Sequence, residues 1–441
     1  MDEQLYRFIL AEHIKDFLTS RQRKRMIEGL EYYTVENKVE SLNHAFIPNL
    51  IDEKVSYLVG EPFVFDGKDE DVKVIQDTLG EGYQYETQRL AREASIKGIA
   101  WWQVYLDEEG AFKLMRIPSE QVCPLWKDDE HTQLESVMRV YEVETYEGTN
   151  KEIVTHVEHY EADGVTYYIY KDGALEVDAE KYLSLDDDVK AGHYTKNGKQ
   201  ISFGEMPFIW CKNNDYEIPD YIYVKTLVDD YNKNRTDISN LLDDVRNWIM
   251  NIVNYGGEET DDILALVKEK RVVRTEDDGR VEILTPTIDI QAAKEHCEQL
   301  KKDVDLFGRA IPTAEKLGQA PNEMTIKSLY SKVDLKCNSL EAELQNAFKR
   351  LQYFIGVYLQ ENHKKLSSIA TIIFNRDIAV NESAAIADCQ KSMGVISQKT
   401  IVKNHPWVTD TEEELKQIEI EQPVVSDYEG LPQEVIDNEQ E

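Results

Sequence analysis

The sequence predicts an α+β chain, mainly helical, in which an antiparallel sheet precedes long helices that frame a small α/β module. Three observations lead there. Alternating apolar residues crowd the stretch from Val137 to about Val177. Helical apolar periods dominate beyond Pro219. Between two helical segments lies a long connector with no period of its own, RAIPTAEKLGQAPNEMT, from Arg309 to Thr325.

The first fifty residues predict helix, and NHAFIPNLIDEKVSYLV stays amphipathic up to Gly60, with a β-rich run after Pro62. Residues 71 to 98 predict helix again. GIAWWQVYLDEEGAFKLMRIP reads as a hairpin about the turn DEEG. Strand then follows strand through VMRVYEVETYEGTNKEIVTHVEHY and GVTYYIYKDGALEV. Beyond Pro219, residues Leu227, Tyr231, Ile238, Leu242, Val245, Ile249 and Ile252 recur at steps of three, four and their multiples. That spacing predicts one continuous helix, stopped by Gly256 and Gly257.

A compact unit follows: the helix TDDILALVKEK, the strand RVVRT, the turn EDDG and the strand RVEILT. Helix returns at IDIQAAKEHCEQLKKDVDLFG. After the connector, a helix from about Thr325 to Glu361 spans about 55 Å at 1.5 Å per residue. IATIIFN predicts a strand, NESAAIADCQKSMG and SQKTIVKNH short helices, and SDYEGLPQEVIDNEQE a disordered tail. Helical stripes this long leave too much apolar surface for one chain to cover, and copies of the same chain are the natural neighbours.

Composition narrows the function. The chain has 441 residues, 41% of them hydrophobic, with 85 acidic against 50 basic side chains and a formal charge of −35. Such a field repels a nucleic-acid duplex except where lysines cluster locally. The longest apolar run, IATIIF, falls far below the roughly 18 to 20 residues of a membrane span. Charges stand where a signal peptide would place its apolar segment. Five cysteines lie far apart, without a C-x-x-C, which fits a reducing environment.

No catalytic constellation stands out, and no cofactor is expected. On a strand, the odd spacing of His156 and His159 sends the rings to opposite faces, so they cannot share a metal. Asp230, Asp237 and Asp244 recur every seven residues and share a helical face, but no converging ligands accompany them. Neither G-x-S-x-G, nor G-x-x-x-x-G-K-[ST], nor G-x-G-x-x-G occurs. Lys294, Lys301 and Lys302 place basic charge on the helix before the connector. They serve either as interhelical partners of the Asp230, Asp237 and Asp244 stripe or as a ring of lysines facing a polyanion.

Four stretches, in order, carry a resemblance. They are LEYYTVENKVE with NLIDEKVSYLVGEPFVF, GEMPFIWCKNNDYEIPDYIYVKTLVDDYNKNRTDISNLLDD, LFGRAIPTAEKLGQAPNEMTIKSLYSKVDLKCNSLE, and SQKTIVKNHPWVTDTEEELKQIE. Together they resemble the portal proteins of tailed bacteriophages, in the family typical of long-tailed phages of Gram-positive hosts. Ala320-Pro321-Asn322 stands where that family often has Ser-Gly.

The resemblance implies a portal fold closing into a ring of about twelve copies. It implies a wing (residues 1–225), a first stem helix (226–255), a clip (256–288), a second stem helix (289–309) and a tunnel loop (310–324). A helix from loop to crown (325–362), a return strand with crown helices (363–425) and an acidic tail (426–441) complete it. The ring would sit at one capsid vertex of the virion, after assembly in the host cytoplasm. It would pass double-stranded DNA without sequence specificity, at packaging and at ejection. Implied partners are the packaging ATPase (terminase), the major capsid and scaffolding proteins and a head–tail adaptor, with no membrane and no enzymatic activity. Lys294, Lys301, Lys302, Glu315, Lys316, Gln319 and Asn322 are the candidates for the DNA tunnel, and Glu276, Asp277 and Asp278 for clip contacts. The alternatives are another ring or connector protein of the virion, or an acid-rich metal-dependent nuclease.

Overall fold

A computed structural model describes residues 2–36, 42–147, 150–182, 190–196, 198–244, 249–253, 278–284, 290–311, 323–376, 382–408 and 411–421. The chain divides into two compact units. One comprises residues 1–313 and 329–377, the other residues 314–328 and 378–441.

In the larger unit, α1 (Glu3–Thr19), α2 (Arg21–Tyr33) and α3 (Phe46–Val59) come first. Ser20 both ends α1 and caps α2, its hydroxyl accepting from the Arg23 amide at 3.1 Å. Strand β1 (Val64–Asp66) leads to α4 (Asp69–Leu79) and α5 (Tyr83–Lys97), which Gly80 and Gly82 separate. The hairpin of β2 (Ile99–Leu106) and β3 (Phe112–Ile117) forms where the alternation placed it. Asp107 closes its turn by accepting from the amides of Glu109 and Ala111.

A five-stranded antiparallel meander follows: β4 (Val122–Trp126), β5 (Leu134–Glu147), β6 (Asn150–Glu161), β7 (Gly164–Lys171) and β8 (Ala174–Val177). Its two faces bury different partners. Leu10, Ala11 and Ile14 of α1 pack on Cys123, Met138, Val140, Val157 and Tyr168. On the other face, Val122, Val137, Tyr160 and Val165 meet Trp101, Phe208 and Trp210. Those three belong to a second sheet of order β11-β2-β3, completed by β11 (Phe208–Lys212). Between the meander and β11 lie the short helix α6 (Ala179–Tyr182) and the small pair β9 (Tyr194–Lys196) and β10 (Lys199–Ile201).

Beyond Pro219, α7 runs from Lys225 to Asp244 and then stops. Residues 249–253 form β12 (Ile249–Val253), paired antiparallel with β13 (Arg280–Leu284). The expected helix through Ile252 is therefore corrected. Ile249 and Ile252 keep a helical spacing, but Ile-Met-Asn-Ile-Val is also a β-rich run, and cross-strand pairs Ile249↔Leu284 and Ile252↔Val281 decide it. The expected stripe also shifts. Val224, Val228 and Asn232 are the buried face, whereas Leu227, Tyr231 and Ile238 are only half-buried. The expected helix TDDILALVKEK and strand RVVRT lie outside the described residues.

Helix α8 (Ile290–Gly308) packs on α7 and precedes the connector. Helix α9 (Glu323–Glu361) is the longest in the protein among the described residues. Its buried residues Tyr330, Val333, Cys337, Leu340, Leu344, Ala347, Leu351, Ile355 and Leu359 step by three and four, a single inward stripe. Phe348 of α9 sits among Phe63, Phe65 and Trp102. Strand β14 (Thr371–Ile373) then pairs antiparallel with β1. The smaller unit holds α10 (Glu382–Lys391), α11 (Gln398–Lys403) and α12 (Thr411–Glu421), in the order expected for the closing helices.

Candidate functional site: the footing of the connector

The connector leaves α8 through a tightly packed footing. Gly308 lies flush against α3; a Cβ there would come within 2.6 Å of a Leu50 methyl carbon. Its carbonyl accepts from Lys336 Nζ of α9 at 3.0 Å. Arg309 turns the chain through a left-handed conformation (φ 55°), and the Ala310 amide donates back to the Asp305 carbonyl at 3.0 Å. The Ile311 amide then donates to Glu53 Oε2 at 3.1 Å. Burial pushes the Glu53 carboxyl above its usual range, although the Ile311 amide opposes this.

Beneath this footing is a buried charge cluster. Lys54 Nζ is fully enclosed and donates to Asn213 Oδ1 at 2.5 Å and Asp220 Oδ2 at 3.1 Å. Lys336 reaches the same carboxylate oxygen at 3.4 Å. Burial lowers the Lys54 ammonium, against the pull of Asp220. Burial alone would raise the Asp220 carboxyl, but Lys336 and Lys54 beside it hold it down to about 2. The footing is thus fastened to three elements at once. Neither Glu53 nor Lys54 was singled out from the sequence, because only the fold brings α3, the turn after β11 and α9 together. The signal available in advance was a lysine in an otherwise apolar helical stripe, Leu50, Ile51, Val55 and Leu58.

Lys294, Lys301 and Lys302 are exposed on α8. Among the described residues they make no ion pair with Asp230 or Asp237; the Asp244 side chain lies outside what the structure describes. On the same helix, His296 Nε2 lies 3.2 Å from Asp230 Oδ2. Glu315, Lys316, Gln319, Asn322, Glu276 and Asp277 lie outside the described residues. Asp278 is exposed, with a left-handed backbone (φ 66°), just before β13.

The two histidines of β6 do sit on opposite faces. His159 is buried beneath Tyr6 of α1, while His156 stacks on Tyr141 with Asp178 at 3.3 Å. Among the described residues, no group of three His, Cys, Asp or Glu side chains is placed to hold a metal. No described helix is long and apolar enough to cross a membrane.

Comparison with known proteins identifies the chain. Residues 7–423 match the family model described as "Phage portal protein, SPP1 Gp6-like". The chain belongs to that family. The portal protein of Bacillus phage SPP1 is 25% identical over 446 residues, covering 95% of this chain and 87% of that relative. The portal protein of Clostridium phage phiCD119 is 28% identical over 411 residues, covering 88% and 86%. Among solved structures, a chain titled "Neck of native GTA particle computed with C12 symmetry" aligns with a TM-score of 0.44 at 10% identity, covering 86% of this chain and 92% of that one.

The portal chain is a structural protein of the phage virion. Its role in genome packaging and in joining head to tail follows from the family. Membership implies an oligomeric ring associated with capsid and DNA, and a location at the capsid vertex.

Proposed function

We propose that about twelve copies of this portal chain close into a ring. DNA enters and leaves through its bore, terminase docks on its outer end during packaging, and a head–tail adaptor takes that place afterwards. The observation that carries this reading is the family match, which spans residues 7–423 as one continuous assignment.

Within the ring, residues 310–324 are the tunnel loop, with Glu315, Lys316, Gln319 and Asn322 nearest the bore and Lys294, Lys301 and Lys302 behind them. The footing supports this assignment. A segment that works against sliding DNA needs a fixed base, and Glu53, Lys336 and Leu50 supply one. Contact is to the phosphate backbone, so no base is read. The acidic bulk suits a conduit, since like-charged walls do not grip a polyanion while a few lysines keep it from exclusion. Residues 256–288 form the clip, with Glu276, Asp277 and Asp278 at the rim.

Electron micrographs of the purified protein, with native mass spectrometry across a range of salt, test the ring; only monomers and dimers under every condition would overturn it. A disulfide tether across residues 310–324 tests the loop. Rings should persist while DNA packaging or retention falls. Normal packaging by tethered rings would remove the loop from the mechanism.

A further inference from the structure

We propose that the distal half of the β5–β6 hairpin is an arm that docks on the next copy of this chain. Its seat is the cationic, apolar patch around Arg309 and Lys336. The inference rests on the ring reading above and adds to it one specific contact between neighbours.

The arm follows from the sheet registers. β4 pairs with β5 only as far as Arg139, and β7 pairs with β6 only from Thr155 onward. Among the described residues, therefore, no third strand lies beside residues 142–147 and 150–154. At about 3.3 Å per residue, that is a ribbon some 20 Å long. A two-stranded ribbon standing alone in water is marginally stable. This one nevertheless exposes large apolar side chains on both faces. Tyr146 (67% exposed) and Ile153 (57%) are diagonal neighbours on one face, and Val143 lies on the other. Among them stand Glu142, Glu144, Glu147 and Glu152 against the single Lys151, so the arm is acidic.

The base of the arm is rigid. Buried Glu158 accepts from Tyr141 Oη at 2.9 Å and Tyr160 Oη at 3.0 Å, and it is also approached by Arg139 and Lys181. Arg139 in turn lies over the Tyr141 ring at 4.6 Å. A ribbon held out this firmly, apolar on both sides, is pre-organised for a partner.

The patch has the opposite character. Leu335 (64% exposed), Phe307 (57%) and Tyr223 rim a cleft that Arg309, Lys336 and Lys54 also line, with Asp220 the one carboxylate among them. Arg309 is exposed at this rim and Lys336 half-buried, while Lys54 is enclosed beneath them against Asp220, which leaves the cleft net positive in a chain that carries −35 overall. An acidic apolar arm and a cationic apolar cleft on the same unit make a head-to-tail pair. Contacts between two different surfaces of identical copies are those that close a ring.

Ring yield of the full-length protein, read by native mass spectrometry at fixed concentration, tests this. Y146S/I153S should lower it about tenfold or more, because anchor side chains carry most of an interface. Both positions are exposed, so the unfolding temperature of the unassembled chain should not change. E142K and R309E should each weaken assembly, and the pair together should restore it. Cysteines at Tyr146 and Leu335 should, on oxidation, link the rings into a ladder of covalent multimers. Wild-type ring yield from Y146S/I153S overturns the arm. Loss of rings with neither charge rescue nor a disulfide ladder overturns the seat. A wild-type chain that never forms rings overturns the ring reading itself, a failure that the variants do not mimic.

Discussion

Replacing Asp220 by Asn should destabilise the larger unit, with a deficit that depends on pH. Asp220 is buried with Lys54 Nζ 3.1 Å away and Lys336 at 3.4 Å. Removing one partner of a buried pair leaves an uncompensated charge and costs about 3–5 kcal/mol. Asn keeps the shape and can still accept from Lys54, so we expect about 3 kcal/mol near neutrality. In the wild type the Asp220 carboxyl is held at about 2, below its ordinary 3.8. A depressed carboxylate stabilises fully above the unfolded value, and its contribution fades as pH falls from 3.8 through about 2. At about 1.4 kcal/mol per pH unit, that span is worth about 2 kcal/mol, of the same order as the deficit.

On the alkaline side, Lys54 titrates below its ordinary value because it is buried. Its ionised form penalises the fold, so stability rises with pH from the depressed folded value towards the unfolded one. Without Asp220 that rise begins at lower pH, and the deficit narrows again. Urea unfolding followed by tryptophan fluorescence reports on this unit through Trp101, Trp102 and Trp210. A deficit below about 1 kcal/mol at neutral pH, or one that stays constant from pH 2.5 to 10, would refute the account.

Three further outcomes are expected. Gly308→Ala should cost about 1–2 kcal/mol by overpacking against Leu50, and Leu50→Val in the same chain should recover part of it; equal losses in both backgrounds, measured by thermal unfolding, would rule out the contact. Asp71→Asn should speed hydrogen exchange at the Ser367 and Ser368 amides, since Asp71 accepts from both amides and both hydroxyls. These donors hold the Asp71 carboxyl far below its usual range, so the same release should appear in the wild type only in strong acid. Charge reversal at Glu276, Asp277 and Asp278 should weaken terminase docking and its salt dependence while leaving ring yield unchanged; lost rings would move the clip elsewhere.

Much of the fold was legible because local patterns and tertiary demand agree there. The β2–β3 hairpin alternates cleanly about Asp107–Gly110, and α9 follows its predicted span because its inward stripe is unbroken for eight turns. The α7 region failed for the opposite reason. Ile249 and Ile252 satisfy a helical and a β pattern equally, and the partner that decides, β13, lies about thirty residues downstream. The footing was harder still. The connector announces itself by its lack of period, but the anchors Glu53, Lys54 and Asp220 come from segments up to about 260 residues away. The inward-facing lysine of α3 was the one visible clue. Exposed Lys294 and Lys301 drew attention by charge alone, and charge does not say which way a side chain points.

The pairing of β1 with β14 sets a clock on synthesis. Residues 64–66 find their partner strand only at 371–373, and Phe63 and Phe65 lack Phe348 and Phe374 until α9 and β14 are made. At about 5–20 residues per second, a ribosome needs about 15–60 s to cover that gap. During this interval an edge strand and a cluster of aromatic rings wait uncovered, the state in which chains misassociate. Premature termination anywhere before residue 371 therefore yields an open sheet rather than a smaller portal. A partner that shields β1 on the nascent chain would raise the yield of assembly-competent protein without touching the finished ring.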